Sequence, residues 1–116
     1  MRGLPESRLG QVWTVDFDPI HGHEQGGVRP ALIISNDLFN STPHTFCIVV
    51  PFTRTFRGIP SHVQVDPPAG GLTARSYLLC EQAKSISVTR LRRVMGRVDP
   101  DLARRVQEMV GRFIDR

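Results

Sequence analysis

The chain has 116 residues and a hydrophobic fraction of 40%, which fits one globular domain and is too apolar for a disordered chain. Its formal net charge of +4 favours an anionic partner, either nucleic acid or an acidic protein. No apolar run approaches the roughly 18 residues that span a bilayer, and the first ten residues lack the apolar core of a secretory signal. We therefore expect a cytoplasmic protein with no membrane partner.

Residues 1–9 are expected to form a loose N-terminal tail, and residues 10–116 a single domain. Short runs rich in β-branched and aromatic residues, separated by turn residues, predict seven strands. These are residues 11–17, 31–35, 46–52, 61–66, 76–80, 83–88 and 92–98, with single helical turns at 36–40 and 88–91. So many short strands in under 90 residues predict a small barrel or a strongly curled sheet.

The first strand alternates, with Trp13, Val15 and Phe17 on the predicted buried face and Val12 and Thr14 on the polar face. This pattern is typical of a half-buried strand. The runs at 31–35 and 46–52 are continuously apolar and predict central strands.

The C-terminal segment changes to a helical period. Asp99 and Pro100 have the residue types of an N-cap and a first helical position. The apolar residues that follow recur on one helical face, which we expect to pack against the sheet or a second subunit. They are Leu102, Val106, Met109, Val110 and Phe113.

A long connection, DPIHGHEQGGVRP at residues 18–30, joins the first two predicted strands. Loops of this length without structure of their own are usually functional or mobile. Two glycines precede Arg29, which reaches the start of the next strand and is a candidate phosphate clamp. The alternative is a surface arginine that ends a loop. His21, His23 and Glu24 could also be read as metal ligands, although their spacing matches no common metal site.

The segment PFTRTFRGIP follows the third predicted strand. Thr53 ends a buried run, so its hydroxyl is expected at the rim of the sheet. Arg54 and Arg57 are interleaved with Phe52 and Phe56, a combination that suits single-stranded nucleic acid because arginines pair with phosphates and bases stack on rings. The alternative is an ordinary basic loop with phenylalanines in the core.

Other candidates carry weaker signals. Cys47 and Cys80 lie in apolar runs without a CxxC spacing, so we interpret them as small buried residues. His62 is expected to be a hydrogen-bonded rim residue. Glu81 and Gln82 end an apolar strand, where they could reach a groove or form a turn.

Six segments resemble the MazF/PemK (Kid) toxins of bacterial toxin–antitoxin pairs, and the similarity extends from about Gly10 to Phe113. The segments are GQVWTVDFDP (10–19), HEQGGVRPALIISND (23–37), VVPFTR (49–54), IPSHV (59–63), LLCEQAKSIS (78–87) and Arg97-Val98. The resemblance implies a mainly β (α+β) fold, a small SH3-like β-barrel of the CcdB/PemK type with a C-terminal α-helix. It also implies a homodimer.

The resemblance further implies a metal-independent endoribonuclease that needs no cofactor. It would cut single-stranded mRNA at short motifs and leave 2′,3′-cyclic phosphate and 5′-OH ends. The catalytic residues would be Arg29, Thr53 and Glu24, with Gln25 beside them. An acidic, disordered MazE-like antitoxin tail would fold along the toxin groove.

Residues that would bind RNA come from the loops and from the end of the fifth strand. They are His21, His23, Gln25, Arg54, Phe56, Arg57, Glu81 and Gln82. Two routes for proton removal stay open: Glu24 as the general base, or a proton shuttle between the 2′-OH and the phosphate. Alternatives are a barrel that binds RNA or protein without cutting, a gyrase poison of the same fold, and a metal hydrolase.

Overall fold

A computed structural model describes residues 4–18 and 26–116. Its strands are β1 (Gln11–Asp16), β2 (Val28–Ile33), β3 (Phe46–Thr53), β4 (His62–Val65), β5 (Ser76–Leu79), β6 (Lys84–Ser87) and β7 (Leu91–Arg97). The helices are α1 (Asp37–Asn40) and α2 (Pro100–Ile114), with short 3₁₀ turns at Ala69–Gly71, Cys80–Gln82 and Val88–Arg90. No helix in the described ranges is long and apolar enough to cross a membrane.

The seven strands form one antiparallel sheet in the order β4-β5-β3-β2-β1-β7, and β6 pairs with the first half of β3. Among the described strands no pairing joins β4 to β7, so the sheet is strongly curled without being fully closed. The predicted mainly β fold with a C-terminal helix is confirmed. Its barrel-like curl follows from β3, which pairs with β2 on one side and with β5 and β6 on the other.

Two hydrophobic cores lie on opposite faces of the sheet. One contains Leu32, Phe52 and Leu78 and is covered by α2 through Ala103 and Val106. The other is built from alternate residues of the same strands. Both faces of β2 and β3 are therefore buried, as their continuous apolar runs predicted.

The first strand differs from its prediction. Val12 was assigned to the polar face, yet it is fully buried in the core beneath α2. The physical reason is that β1 lies between β2 and β7, and that α2 covers the face of β1 that carries Val12. Trp13, Val15 and Phe17 occupy the other core as predicted.

The C-terminal helix begins as predicted, with the Asp99 carboxylate accepting a hydrogen bond from the Leu102 amide. The prediction that Phe113 lies in the core is wrong, because the exposed fraction of this residue is 50%. Only Ala103 and Val106 are buried on this helix, so its first half packs on the sheet and its second half extends past the core.

The tail predicted at residues 1–9 is described from Leu4 onward, where Leu4 packs against the second core and Ser7 is buried. Cys47 and Cys80 are buried free thiols, as predicted. Burial raises the pKa of each thiol to about 11, so both are unreactive at neutral pH.

Candidate active site

Arg29 lies on β2, which begins three residues earlier than the sequence predicted. Its Nε donates to the Gly26 carbonyl at 3.1 Å and its Nη1 to the Phe52 carbonyl at 3.5 Å. Gly27 allows this turn because its φ of +74° lies in the left-handed region. A guanidinium has five N–H donors, so this half-buried side chain is fixed in position and keeps donors for an anion.

Thr53 is the last residue of β3 and its exposed fraction is 8%. Its hydroxyl oxygen accepts a hydrogen bond from the Thr55 amide at 3.2 Å, which leaves its own O–H proton to donate elsewhere. Phe52, whose carbonyl holds Arg29, is its neighbour in sequence. The two strands thus bring Arg29 and Thr53 to one cavity of about 410 Å³.

The predicted cations Arg54 and Arg57 line the same cavity. Arg54 also donates to the Thr73 hydroxyl at 3.5 Å. Among the described residues of the cavity wall there are three arginines and no carboxylate, so the cavity carries a positive potential and suits an anionic ligand.

Phe56 is exposed, and its ring packs on Tyr77 with centroids 5.5 Å apart. It does not line the arginine cavity but a smaller pocket beside it. The interpretation of Phe56 as a core residue is therefore wrong, and a stacking surface is compatible with its position.

Glu81 and Gln82 lie in the 3₁₀ turn after β5 and are not among the residues that line the arginine cavity. The Glu81 carboxylate accepts hydrogen bonds from the Ser61 hydroxyl at 2.7 Å and from His62 Nε2 at 2.9 Å. Partial burial raises the pKa of Glu81, but these hydrogen bonds outweigh it, so the pKa lies below its ordinary value. His62 is the hydrogen-bonded rim residue that the sequence predicted.

His21, His23, Glu24 and Gln25 lie outside the described residues. Within the described ranges no three His, Cys, Asp or Glu side chains come together as a metal site. The metal-ligand interpretation of the two histidines and Glu24 therefore stays a prediction.

The ends of the 18–30 connection are held together next to Arg29. The Asp18 carboxylate accepts from the Gly27 amide at 2.9 Å, and the Gly27 carbonyl accepts from the Phe17 amide at 2.9 Å. Arg90 donates to the carbonyls of Asp16 and Asp18. Sequence reasoning missed Asp18 and Arg90, because only the pairing of β1 with β7 brings them together.

The protein is a small domain with a curled antiparallel sheet, a C-terminal helix and an arginine-lined cavity at the rim that suits an anionic ligand. The family model for the PemK-like, MazF-like toxins of type II toxin–antitoxin systems matches residues 8–114. The chain therefore belongs to this toxin family.

Individual relatives agree with this membership. The endoribonuclease EndoA of Bacillus subtilis is 36% identical over 103 residues, which are 87% of this chain and 88% of that protein. The crystal structure of MazF from Deinococcus radiodurans superposes with a TM-score of 0.81 at 26% identity, covering 95% of this chain and 97% of that one. A MazE–MazF structure from the same organism gives a TM-score of 0.76 at 24% identity, covering 95% and 96%, which shows the shared fold.

Proposed function

We propose that this toxin is a metal-independent endoribonuclease that cuts single-stranded mRNA and thereby inhibits translation and growth. The observation that carries the proposal is the convergence of Arg29 and Thr53 on one arginine-lined cavity. The toxin family and the name of the Bacillus subtilis relative support an endoribonuclease.

The reaction uses the 2′-OH of the RNA as its nucleophile. The O2′–P bond forms and the P–O5′ bond breaks, so one proton leaves O2′ and one reaches O5′. The products are a 2′,3′-cyclic phosphate and a 5′-OH. The protein must therefore hold the phosphate in line and stabilise the added negative charge, which requires neither a protein nucleophile nor a cofactor.

Arg29 is suited to charge stabilisation. Its guanidinium is held by two backbone carbonyls, so its remaining N–H groups need little reorganisation as charge develops on the phosphoryl oxygens. The Thr53 hydroxyl donates a hydrogen bond to the same phosphate. Glu24 and a proton shuttle from the 2′-OH to the phosphate are both compatible with proton removal, since an arginine is not deprotonated in proteins.

The positive charge of the arginine cavity accounts both for RNA binding and for inhibition by an acidic antitoxin. Arg54 and Arg57 pair with neighbouring phosphates, and His21, His23 and Gln25 are further candidates for RNA binding. The same positive cavity attracts the acidic tail of a MazE-like antitoxin, and MazE is the partner of MazF in the Deinococcus radiodurans complex. The toxin acts in the cytoplasm as a homodimer, and the exposed Phe113 and Ile114 of α2 offer apolar surface for a second subunit.

Cleavage of a long single-stranded RNA in EDTA tests the proposal. Wild type is compared with Arg29→Ala and with Arg112→Ala, whose arginine is exposed near the end of α2. We expect discrete cuts by wild type and Arg112→Ala and none by Arg29→Ala. Intact RNA in EDTA, with cutting restored by a divalent ion, would contradict the proposal and favour a metal hydrolase.

A further inference from the structure

A second, smaller pocket lies beside the arginine cavity. Its volume is about 150 Å³, and Arg57 lines both spaces. Its wall also includes Phe56, Tyr77, His62 and Gln64. The mechanism above assigns this pocket no role.

Strand register connects the two spaces. Thr53 of β3 pairs with Tyr77 of β5, which in turn pairs with Gln64 of β4. Directly paired residues project from the same face of a sheet, so these three side chains form one row. Two strand spacings separate Thr53 from Gln64, roughly 10 Å. A phosphate at Thr53 therefore places an adjoining nucleotide over the pocket.

The aromatic part of the pocket is suited to stacking. The Phe56 side chain is exposed, while its ring packs at 56° on the buried Tyr77. Phe56 thus rests on Tyr77 and still presents ring surface to a ligand, the arrangement that binds unpaired bases.

The polar part of the pocket includes Gln64 and His62 beside Arg57. Gln64 uses its Nε2 on the Asp66 carboxylate at 3.2 Å, which leaves its Oε1 as an acceptor. His62 donates Nε2–H to the Glu81 carboxylate at 2.9 Å, which fixes the orientation of its ring in the pocket wall. The Nδ1 of this ring is buried and has no hydrogen-bond partner among the described residues. A base edge that carries N–H donors complements Gln64 Oε1.

We propose that this pocket is a subsite for one pyrimidine base of the RNA, adjoining the phosphate bound at Arg29 and Thr53. Its volume of about 150 Å³ matches that of a cavity that holds a single six-membered ring such as benzene. Uracil N3–H and the cytosine amino group can each donate to Gln64 Oε1. The inference rests on the proposed ribonuclease function and adds a determinant of its cleavage motif.

Sequencing the cut ends of a randomised single-stranded RNA pool tests the subsite. Wild type is compared with Phe56→Ala, Gln64→Leu and a control, Phe46→Ala, whose phenylalanine is also partly exposed but lies at the other end of β3. We expect wild type and the control to enrich a pyrimidine at one fixed position beside the cut. Phe56→Ala should lose that enrichment, with about tenfold slower cleavage of the preferred sites, and Gln64→Leu should change the ratio of uracil to cytosine there.

Two results would overturn the subsite and leave the ribonuclease function intact. One is a wild-type profile with no pyrimidine preference beside the cut. The other is a Phe56→Ala profile that matches wild type, and loss of antitoxin binding by that variant would then assign the pocket to the protein partner. Absence of any cleavage by wild type would instead overturn the proposed function and the subsite with it.

Discussion

Replacing Arg29 by lysine keeps the positive charge in the cavity and removes the planar guanidinium. Lysine has no equivalent of the Nε–H that donates to Gly26 or the Nη1–H that donates to Phe52. The charge is then no longer held at one point, and bidentate binding of phosphate is lost. Loss of one preorganised donor to a developing oxyanion lowers kcat by about 10²–10³, and we expect Arg29→Lys to lose a factor in this range.

The variant should remain folded. Two hydrogen bonds of about 1 kcal/mol each are removed from a half-buried group, which lowers the Tm by roughly 4 °C per kcal/mol for a domain of this size. The assay measures initial rates on a labelled RNA oligonucleotide in EDTA, with Arg112→Lys as the matched control. A kcat for Arg29→Lys within about threefold of wild type would refute the argument, since charge alone would then suffice.

Three other perturbations separate the remaining parts of the site and the fold. Thr53→Val removes a hydroxyl at nearly constant shape and should lower kcat about 10²-fold, whereas Thr53→Ser should keep most activity in the same assay. Replacing Arg54 and Arg57 by glutamine should reduce the slope of log K against log salt by about 0.7 for each phosphate that is no longer neutralised, and an unchanged slope in RNA titrations would exclude both from the RNA path. Gly71 has a φ of +72° and a Cβ there would lie 2.1 Å from a backbone oxygen, so Gly71→Ala should lower the free energy of unfolding by more than about 2 kcal/mol. Gly111→Ala, in a helix with open space around the added methyl, should raise it by about 0.5–1 kcal/mol, and urea denaturation measures both.

The strands were predictable wherever burial on both faces leaves a continuous apolar run, as in β2 and β3. The burial of Val12 could not be predicted, because the helix α2 that covers it comes from a distant part of the chain. Phe113 fits the helical period as well as Val106 does, but the period does not say where the sheet beneath the helix ends.

The candidate site likewise contains residues that carry a local sequence signal and residues that carry none. Local signals, a glycine turn before a strand and a hydroxyl at the end of an apolar run, predicted a phosphate clamp at Arg29 and a rim position for Thr53, whereas their catalytic roles were implied only by the family resemblance. Tyr77 and Gln64 carry no such signal, because their relation to Thr53 exists only in the register of three strands. Long-range pairing of this kind cannot be read from a single sequence.

The central claim is that the RNA supplies the nucleophile, and one 2′-deoxy substitution tests it most directly. An RNA oligonucleotide with a mapped cut site is compared with the same oligonucleotide carrying a single 2′-deoxyribose on the 5′ side of that site, both in EDTA. Attack by the 2′-OH predicts that the all-RNA strand is cut to 5′-OH and 2′,3′-cyclic phosphate ends, while the substituted strand binds with similar affinity and stays intact at that position. Cleavage of the substituted strand at the same site would contradict 2′-OH attack and require a nucleophile from the protein or from water.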